Sequence, residues 1–240
     1  MTKPMVTVMV IGETGCGKSE AGCAFLRKKG VFTIGSTPES ETYETTSFTN
    51  EVDHINRTYI DTQGLESTDG RDAFYIQQMI EFLKNWQHGV NAFYLVLNIQ
   101  NPRFSKSIQT MIEIINDFFN DPTFWNQTGI IFTRCYRIGN EKLFDENMAK
   151  TQYRQKVVDF IKTLQGCENL QPKMPCFFVN SPNYDSDDET KKEFQRIFEF
   201  AHGKHPVPTQ NMKVTSPDYK EKKEELLNNV LVDTKYEGTG

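Results

Sequence analysis

The stretch Gly12-Glu13-Thr14-Gly15-Cys16-Gly17-Lys18-Ser19 decides the fold of this 240-residue chain. It matches the pattern G-x-x-x-x-G-K-[ST] and follows directly on an apolar, β-branched run, Val6 to Ile11. The residues behind it, Glu20 to Lys29, predict a helix that stops at Gly30. A strand, a glycine loop and a helix in this order predict a P-loop, whose backbone N–H groups surround phosphates.

The residue types of this loop fit phosphate chemistry. Its glycines allow the backbone to turn inward, Lys18 reaches the β- and γ-phosphates, and the Ser19 hydroxyl joins the shell of a Mg²⁺ ion. The helix that follows points its positive end at the anion. We therefore assign all eight loop residues and Glu20 to nucleotide binding, Ser19 also to the metal and Lys18 also to catalysis.

A carboxylate for the magnesium side follows in Asp61-Thr62-Gln63-Gly64, which ends the strand-like run Arg57 to Ile60. Asp61 is placed to hold the metal directly or through water. Gly64 is placed to offer a backbone N–H to the γ-phosphate, because no side chain projects there. These positions predict a Mg²⁺-dependent nucleotide site.

The Ser- and Thr-rich segment 33–47 predicts a loop that senses the nucleotide. One Thr in it is expected to contact Mg²⁺ and the γ-phosphate, and Thr42, Thr45 and Thr46 all qualify. We favour Thr45 and Thr46, which lie just ahead of a predicted strand. We assign Thr45 to nucleotide binding and Thr46 to the metal and to catalysis.

The residues around the catalytic step predict slow intrinsic hydrolysis. Transfer of the γ-phosphoryl group to water depends on positioning and charge stabilisation. Leu65 stands where a water-orienting Gln follows D-x-x-G in fast hydrolases, so we assign Gln63 to catalysis in its place. The other nearby polar candidates are Glu66 and Ser67, and the candidates for an arginine finger are Arg71 and Arg103.

The base end of the site departs from the usual pattern. Guanine is usually read by the Asp of [NT]-K-x-D, but here the buried strand 129–132 ends in Thr133-Arg134-Cys135-Tyr136. Thr133 and Arg134 are expected to contact the nucleotide, with Arg134 stacking over the purine. Tyr136 stands where the Asp is expected. Glu141, Asp145, a partner or a backbone group are the alternative readers of the base.

Buried strands alternate with helices along the chain, and Asn180 follows the last strand as a base-contact residue. The alternation predicts a doubly wound α/β fold, with a mainly parallel six-stranded sheet and one antiparallel edge strand. Ligands then bind at the carboxyl ends of the strands. The further predicted strands are Ser47–Val52 and Arg57–Asp61, paired over the turn 53–56, then Ala92–Leu97, Ile130–Phe132 and Cys176–Val179. The further predicted helices are Asp72–Trp86, Ser105–Phe119, Asn147–Leu164 and Asp188–His202.

The composition changes after residue 203. Residues 1–203 are predicted to form the nucleotide-binding domain, and 204–240 a linker and a C-terminal amphipathic helix. Pro206 and Pro208 interrupt regular structure, and Ser216-Pro217 is typical of a helix start. This helix either packs on its own domain or binds a partner.

The bulk composition excludes several classes of protein. A net charge of −5 gives no electrostatic footprint for nucleic acid or for anionic lipid. No apolar run approaches the ~20 residues of a transmembrane helix. The five cysteines are scattered and predict reduced thiols in the cytoplasm. Membrane association is therefore expected only through a partner.

A family resemblance is carried by Gly89-Val90-Asn91-Ala92-Phe93-Tyr94-Leu95-Val96-Leu97 with Arg103-Phe104-Ser105, and by Gly129-Ile130-Ile131-Phe132-Thr133-Arg134. These stretches resemble the GIMAP family, immunity-associated GTPases related to plant avirulence-induced proteins, to Toc receptors and more distantly to septins. The resemblance covers about residues 5–202. It implies a GTP-binding domain with Mg²⁺, nucleotide-dependent self-association and often membrane attachment through C-terminal segments. Gln63, where the family usually has Pro, and Tyr136 depart from it.

Together these features predict a GTP-binding switch with GTP or GDP and Mg²⁺ as ligands. It is expected to hydrolyse GTP slowly and to form a homodimer or oligomer across its nucleotide face. Two alternatives remain at this point. The first is a P-loop scaffold without significant turnover, and the second is an ATP-specific P-loop NTPase, which Tyr136 keeps open.

Overall fold

A computed structural model describes residues 3–32, 44–64, 72–102, 104–119, 121–138 and 141–209 of the chain. Strands and helices alternate through this part, and β1 leads directly into the glycine loop and α1. Two 3₁₀ turns, Pro122–Gln127 and Ser181–Asn183, and a π-helical turn, Ala149–Tyr153, lie between them. The strands are β1 (Met5–Gly12), β2 (Thr46–Val52), β3 (Ile55–Asp61), β4 (Ala92–Asn98), β5 (Thr128–Thr133), β6 (Arg137–Ile138), β7 (Glu141–Lys142) and β8 (Cys176–Phe178). The helices are α1 (Lys18–Phe25), α2 (Asp72–Asn85), α3 (Lys106–Phe119), α4 (Glu146–Met148), α5 (Arg154–Lys162) and α6 (Asp188–His202).

Six strands form one sheet in the order β2-β3-β1-β4-β5-β8. All neighbouring pairs are parallel except β2 and β3, which form an antiparallel hairpin at one edge. The order places β1 and β3 side by side, so that the P-loop and the Asp61 segment leave the sheet next to each other. At the other side, β5 and β8 bring Thr133 and Asn180 to the same edge.

The sheet is buried on both faces, as the apolar strands predict. Alternate residues of β1 serve opposite cores: Met9 and Ile11 pack with α2, α3 and α5, whereas Val8 and Val10 pack with α1 and α6. This period of two is the pleat of a strand that both cores cover. The sheet therefore brings the carboxyl ends of β1, β3, β5 and β8 to one edge.

The predicted fold class is confirmed, and the boundaries differ in places. The prediction that the helix after the P-loop reaches Lys29 is wrong, because α1 ends at Phe25. Arg27 takes a left-handed φ of 50°. The amide of Lys28 then reaches the Cys23 carbonyl and that of Arg27 reaches the Ala24 carbonyl, which is a Schellman ending.

Two further boundaries differ from the prediction. The hairpin turns over only two residues, Asp53 and His54, whose φ angles of 53° and 65° suit a tight turn that matches the twist of the strands. The predicted helix over 147–164 is helical but contains the π-helical turn before α5. The small hairpin of β6 and β7 is an addition that the sequence does not predict.

The segment after α6 lies against the amino-terminal side of β4. Val207 forms a backbone bridge with Val90, and the Thr209 hydroxyl donates to the Trp86 carbonyl at 2.8 Å. Residues up to 209 therefore pack on the domain. The domain boundary at 203 stays a prediction, and the predicted helix from Ser216 lies outside the described residues.

Candidate nucleotide site

The glycine loop curls between β1 and α1 in the shape that the motif predicts. Gly17 takes a φ of 95° at the N-cap of α1, a backbone conformation that favours glycine. Because α1 begins at Lys18, its first free N–H groups face the loop, and the helix dipole adds positive potential there. The loop therefore has the geometry of an anion site.

The Lys18 side chain is buried, with an exposed fraction of 6%. Its ammonium donates to the carbonyls of Gly12 and Glu13 at 3.1 and 2.9 Å. These bonds hold the charge across the mouth of the loop, where phosphate oxygens are able to replace the carbonyls. The Lys18 ammonium is therefore held at the P-loop, and its predicted role toward the phosphates stays a prediction.

The predicted metal ligands Ser19 and Asp61 lie together. The Ser19 hydroxyl donates to Asp61 Oδ2 at 2.6 Å, although the two residues come from different elements. Asp61 is fully buried and its second oxygen, Oδ1, has no hydrogen-bond partner. Burial raises the pKa of the Asp61 carboxyl, while Lys18 and the Ser19 hydroxyl partly offset it. A buried carboxylate with a spare oxygen beside a serine hydroxyl fits a Mg²⁺ ion.

Gly64 explains why the Asp61 segment lies so close to the P-loop. A Cβ on Gly64 would meet the Thr14 hydroxyl oxygen at 2.3 Å and its Cα at 2.4 Å. Any side chain would push the two segments apart. The glycine therefore allows the backbone at position 64 to pack against the phosphate loop.

Gln63 joins the loop before β2 to helix α2. The Thr45 hydroxyl donates to Gln63 Oε1 at 2.8 Å, and Gln63 Nε2 donates to Gln78 Oε1 at 2.7 Å. Gln63 is buried, with an exposed fraction of 2%. Its carboxamide thus holds the loop before β2 against α2. The catalytic role predicted for Gln63 stays a prediction, and sequence reasoning misses this positioning contact because nothing in the sequence pairs it with Gln78.

The two threonines favoured for nucleotide sensing differ in their surroundings. Thr45 contacts Gln63, whereas Thr46 begins β2 opposite Asp61 and its side chain is exposed. The metal role of Thr46 stays a prediction. The remaining candidates, Thr42, Leu65, Glu66, Ser67, Arg71 and Arg103, lie outside the described residues.

The base loop after β5 is tied to the P-loop by two side chains. The Thr133 hydroxyl donates to the Cys16 carbonyl at 2.6 Å. Arg134 Nη2 donates to the Gly15 carbonyl at 2.9 Å, from a backbone with a left-handed φ of 56°. The exposed Arg134 guanidinium therefore stands beside the loop, where a purine bound next to the phosphates is able to stack on it.

Two polar groups lie where β8 ends beside this loop. The Cys135 amide donates to the Val179 carbonyl at 3.1 Å, which fixes the ends of β5 and β8 against each other. Next along the chain, Asn180 Oδ1 and the Ser181 hydroxyl are buried without hydrogen-bond partners. Buried polar atoms in this condition call for an explanation, and a ligand is one.

The other residues considered for the nucleotide are Tyr136, which replaces the usual Asp, the two alternative acidic readers Glu141 and Asp145, and Glu20, which is assigned to nucleotide binding. Tyr136 is 42% exposed. Glu141 is exposed in β7, and Asp145 caps α4 by accepting from the Met148 amide at 2.8 Å. Glu20, in the first turn of α1, is half-buried, and burial raises the pKa of its carboxyl while Arg134 partly offsets the shift.

The fold thus brings most of the predicted residues to one edge of the sheet. The P-loop, Asp61, Gln63 and Gly64 meet at the ends of β1 and β3, and Thr133, Arg134 and Asn180 at the ends of β5 and β8. Their individual roles stay predictions. Among the helices of the described part of the chain, none is long and apolar enough to cross a membrane.

Comparisons with known proteins agree with this arrangement. A model of the AIG1 family matches residues 6–173. A sequence search of curated proteins finds no significant match. A dimerisation-deficient mutant of Toc33 from Arabidopsis thaliana is similar in structure, with a TM-score of 0.64 at 14% identity over 85% of this chain and 86% of that chain.

Two more solved structures are similar. Toc33 from Arabidopsis thaliana in complex with GDP and Mg²⁺ gives a TM-score of 0.63 at 13% identity, over 85% of this chain and 88% of that chain. The other comes from work on the chloroplast translocon components atToc33 and psToc159, for whose GTPase activity dimerisation is important. It gives a TM-score of 0.64 at 14% identity, over 85% of this chain and 86% of that chain. At these identities the likeness concerns the fold.

The family model covers more than two thirds of the chain and includes the P-loop, the Asp61 segment and the base loop. It confirms the resemblance carried by residues 89–97 and 129–134. The strand order and the P-loop agree with the P-loop fold that this resemblance implies. This chain belongs to the AIG1 family of P-loop GTPases.

Proposed function

We propose that this protein is a GTP-binding switch with slow Mg²⁺-dependent GTP hydrolysis and nucleotide-dependent self-association. The observation that carries the proposal is the 2.6 Å contact between the Ser19 hydroxyl and Asp61, next to the buried ammonium of Lys18. A serine hydroxyl, a carboxylate and a lysine in this arrangement suit the Mg²⁺ salt of a nucleoside triphosphate. Guanine is the base proposed because the chain belongs to the AIG1 family and shares the fold of Toc33, which binds GDP.

The chain's own residues divide the work on the triphosphate. The loop amides and Lys18 hold the phosphates, and Ser19 and Asp61 hold the cation. A bound Mg²⁺ neutralises charge that develops on the phosphate oxygens. Gln63 keeps Thr45 beside the Asp61–Gly64 segment. Binding of the nucleotide would thereby order the Thr45 loop and the Asp61–Gly64 segment together.

Slow hydrolysis is proposed from the residue types that follow the Asp61 segment. Leu65, directly after Gly64, has no polar group to orient water. The Gln63 carboxamide already accepts from Thr45 and donates to Gln78. A second copy of the chain across the nucleotide face would supply further groups. Dimerisation is important for the GTPase activity of atToc33 and psToc159, which supports this part of the proposal.

The proposal is tested by nucleotide-dependent association. The purified chain is loaded with GDP or with a non-hydrolysable GTP analogue, and its mass is measured by light scattering. A larger mass with the analogue, absent in Lys18→Ala, is expected. A mass independent of the nucleotide, or fast single-turnover hydrolysis by the monomer, would contradict the switch.

An ATP-specific NTPase is the second candidate, because Tyr136 replaces the carboxylate that usually selects guanine. The test is to denature the purified protein, chromatograph the nucleotide that it releases and compete GDP against ADP. Release of ADP, with ADP the stronger competitor, would favour this candidate.

The proposed location is the cytoplasm, since all five cysteines are free and buried.

A further inference from the structure

The base end of the site contains no acidic residue in the two sequence segments that form it. Residues 134–138, after β5, and 179–184, after β8, contain no Asp or Glu. A carboxylate is what normally accepts from both N–H groups on the edge of guanine. These two segments offer a base only neutral polar groups and cations.

Three carboxylates just beyond these segments make contacts elsewhere, whereas a fourth, Glu141, is exposed at the start of β7. Asp145 caps α4, and Asp185 forms an ion pair with Lys29. Asp187 caps α6 by accepting from the Thr190 amide and hydroxyl, and it also accepts from Arg137 at 3.3 Å. Moving Asp145 or Asp187 to a base would break the cap of a helix, whereas the exposed ion pair of Asp185 contributes little.

Asn180 is the group best placed to read a base. Its exposed fraction is 5%, its backbone N–H is satisfied by Thr190, and Oδ1 has no partner. It directly follows Val179, which is bonded to the loop that carries Thr133 and Arg134. The Ser181 hydroxyl beside it is also buried without a partner. A ligand N–H is the natural partner for such an acceptor.

The chemistry of the purine edge gives the consequence. Guanine and hypoxanthine share the N1–H and the 6-oxygen, and differ only in the 2-amino group of guanine. A carboxylate accepts from N1–H and the amino group at once, whereas a single carboxamide oxygen accepts one of them. We propose that this chain reads the shared N1–H edge through Asn180 and leaves the 2-amino group unread, so that it accepts inosine nucleotides as well as guanine nucleotides. The proposal rests on the proposed function.

The test is competition of GDP, IDP and ADP against a fluorescent GDP in Mg²⁺. IDP is expected within about 3-fold of GDP, because loss of a hydrogen bond to a charged acceptor would instead separate them by roughly 10- to 150-fold. A GDP preference of that size would overturn the inference and leave the switch standing. Failure of every purine nucleotide to compete would overturn the proposed function itself, and the inference with it.

A gain of selectivity provides the sharper variant. Tyr136→Asp puts a carboxylate at the position where the common motif has one, and the exposed side chain of Tyr136 makes the change tolerable. The ratio of GDP to IDP affinity is expected to rise about 10-fold or more. Tyr136→Asn, matched in size but neutral, is expected to leave it near one. An unchanged ratio in Tyr136→Asp would contradict the proposal.

Asn180→Ala tests the reader directly. It is expected to weaken GDP and IDP by the same factor, about 5- to 10-fold, while Asn183→Ala on the same turn changes neither. Circular dichroism checks that the variant folds, and if it does not, the wild-type ratio decides alone. A strong GDP preference that Glu20→Gln or Glu141→Gln abolishes would identify a carboxylate reader and overturn the proposal.

Discussion

The phosphate end and the base end of this site differ in how well their residues match the usual motifs. At the ends of β1 and β3, residue types and geometry agree: Lys18 donates to the Gly12 carbonyl, and the Ser19 hydroxyl donates to Asp61. At the ends of β5 and β8, the backbone frame is equally firm, but the residue that should read guanine is Tyr136. We therefore expect the first end to supply phosphate affinity, and Asn180 at the second end to read the N1–H edge of the purine.

Among the changes at the two ends, removal of the Lys18 charge should have the largest effect on nucleotide affinity. Lys18→Ala is expected to weaken Mg²⁺-GDP binding by about 100-fold or more, since charge-assisted bonds to the phosphates are lost. Binding is measured by fluorescence titration. Lys84→Ala, on the exposed end of α2, is the control and should bind as wild type. Equal losses for GDP and IDP are expected, because both ligands carry the same phosphates.

Asp61 separates metal binding from phosphate binding. In Asp61→Asn, the tightening of GDP that Mg²⁺ produces over EDTA should fall about 10- to 100-fold, as for a lost metal-site group. GDP affinity in EDTA should change little. A variant whose Mg²⁺ response equals that of wild type would remove Asp61 from the metal site.

The pH dependence of stability follows from the same carboxyl. Burial raises the pKa of Asp61, so in EDTA its contribution to the free energy of unfolding is most favourable at low pH and falls as pH rises through the raised pKa. With Mg²⁺ and GDP, the ionised form is the ligand, so the stabilisation by metal is lost as pH falls through that pKa. The free energy of unfolding is measured by urea unfolding at several pH values for wild type and Asp61→Asn. The difference between the two proteins should change with pH in opposite directions in the two buffers. Parallel slopes would contradict it.

Gln63 links the phosphate end to the segments beside it rather than to the base. Gln63→Ala removes the bonds to Thr45 and Gln78 and should lower the free energy of unfolding by about 1–3 kcal/mol. Gln155→Ala, on the exposed face of α5, should stay within about 0.5 kcal/mol of wild type. Single-turnover rates of the two variants then test the catalytic role. A rate loss in Gln63→Ala that Gln78→Ala does not share would favour direct catalysis over positioning.

Thr133 joins the two ends, and its loss should have the smallest effect. Thr133→Val keeps the shape but removes the hydrogen bond to the Cys16 carbonyl, and GDP affinity should fall about 3- to 10-fold. Thr163→Val, at the exposed end of α5, is the matched control. An unchanged affinity would mean that the base loop and the P-loop hold their places independently.

The same division explains what the sequence was able to predict. The P-loop, the D-x-x-G segment and the order of buried strands are local patterns, and each dictated an element that the structure contains. The end of α1 depended on a left-handed Arg27, a residue type that gives no such signal. The contact between Gln63 and Gln78, and the burial of Asn180, arise from tertiary packing, which no local pattern encodes.

A calorimetric titration of the purified chain with GDP, with and without Mg²⁺ and with ADP in parallel, tests the central claim most directly. GDP is expected to bind stoichiometrically, Mg²⁺ to tighten it through Ser19 and Asp61, and ADP to bind far more weakly. Binding of GDP that Mg²⁺ leaves unchanged, or ADP binding as tightly as GDP, would contradict it.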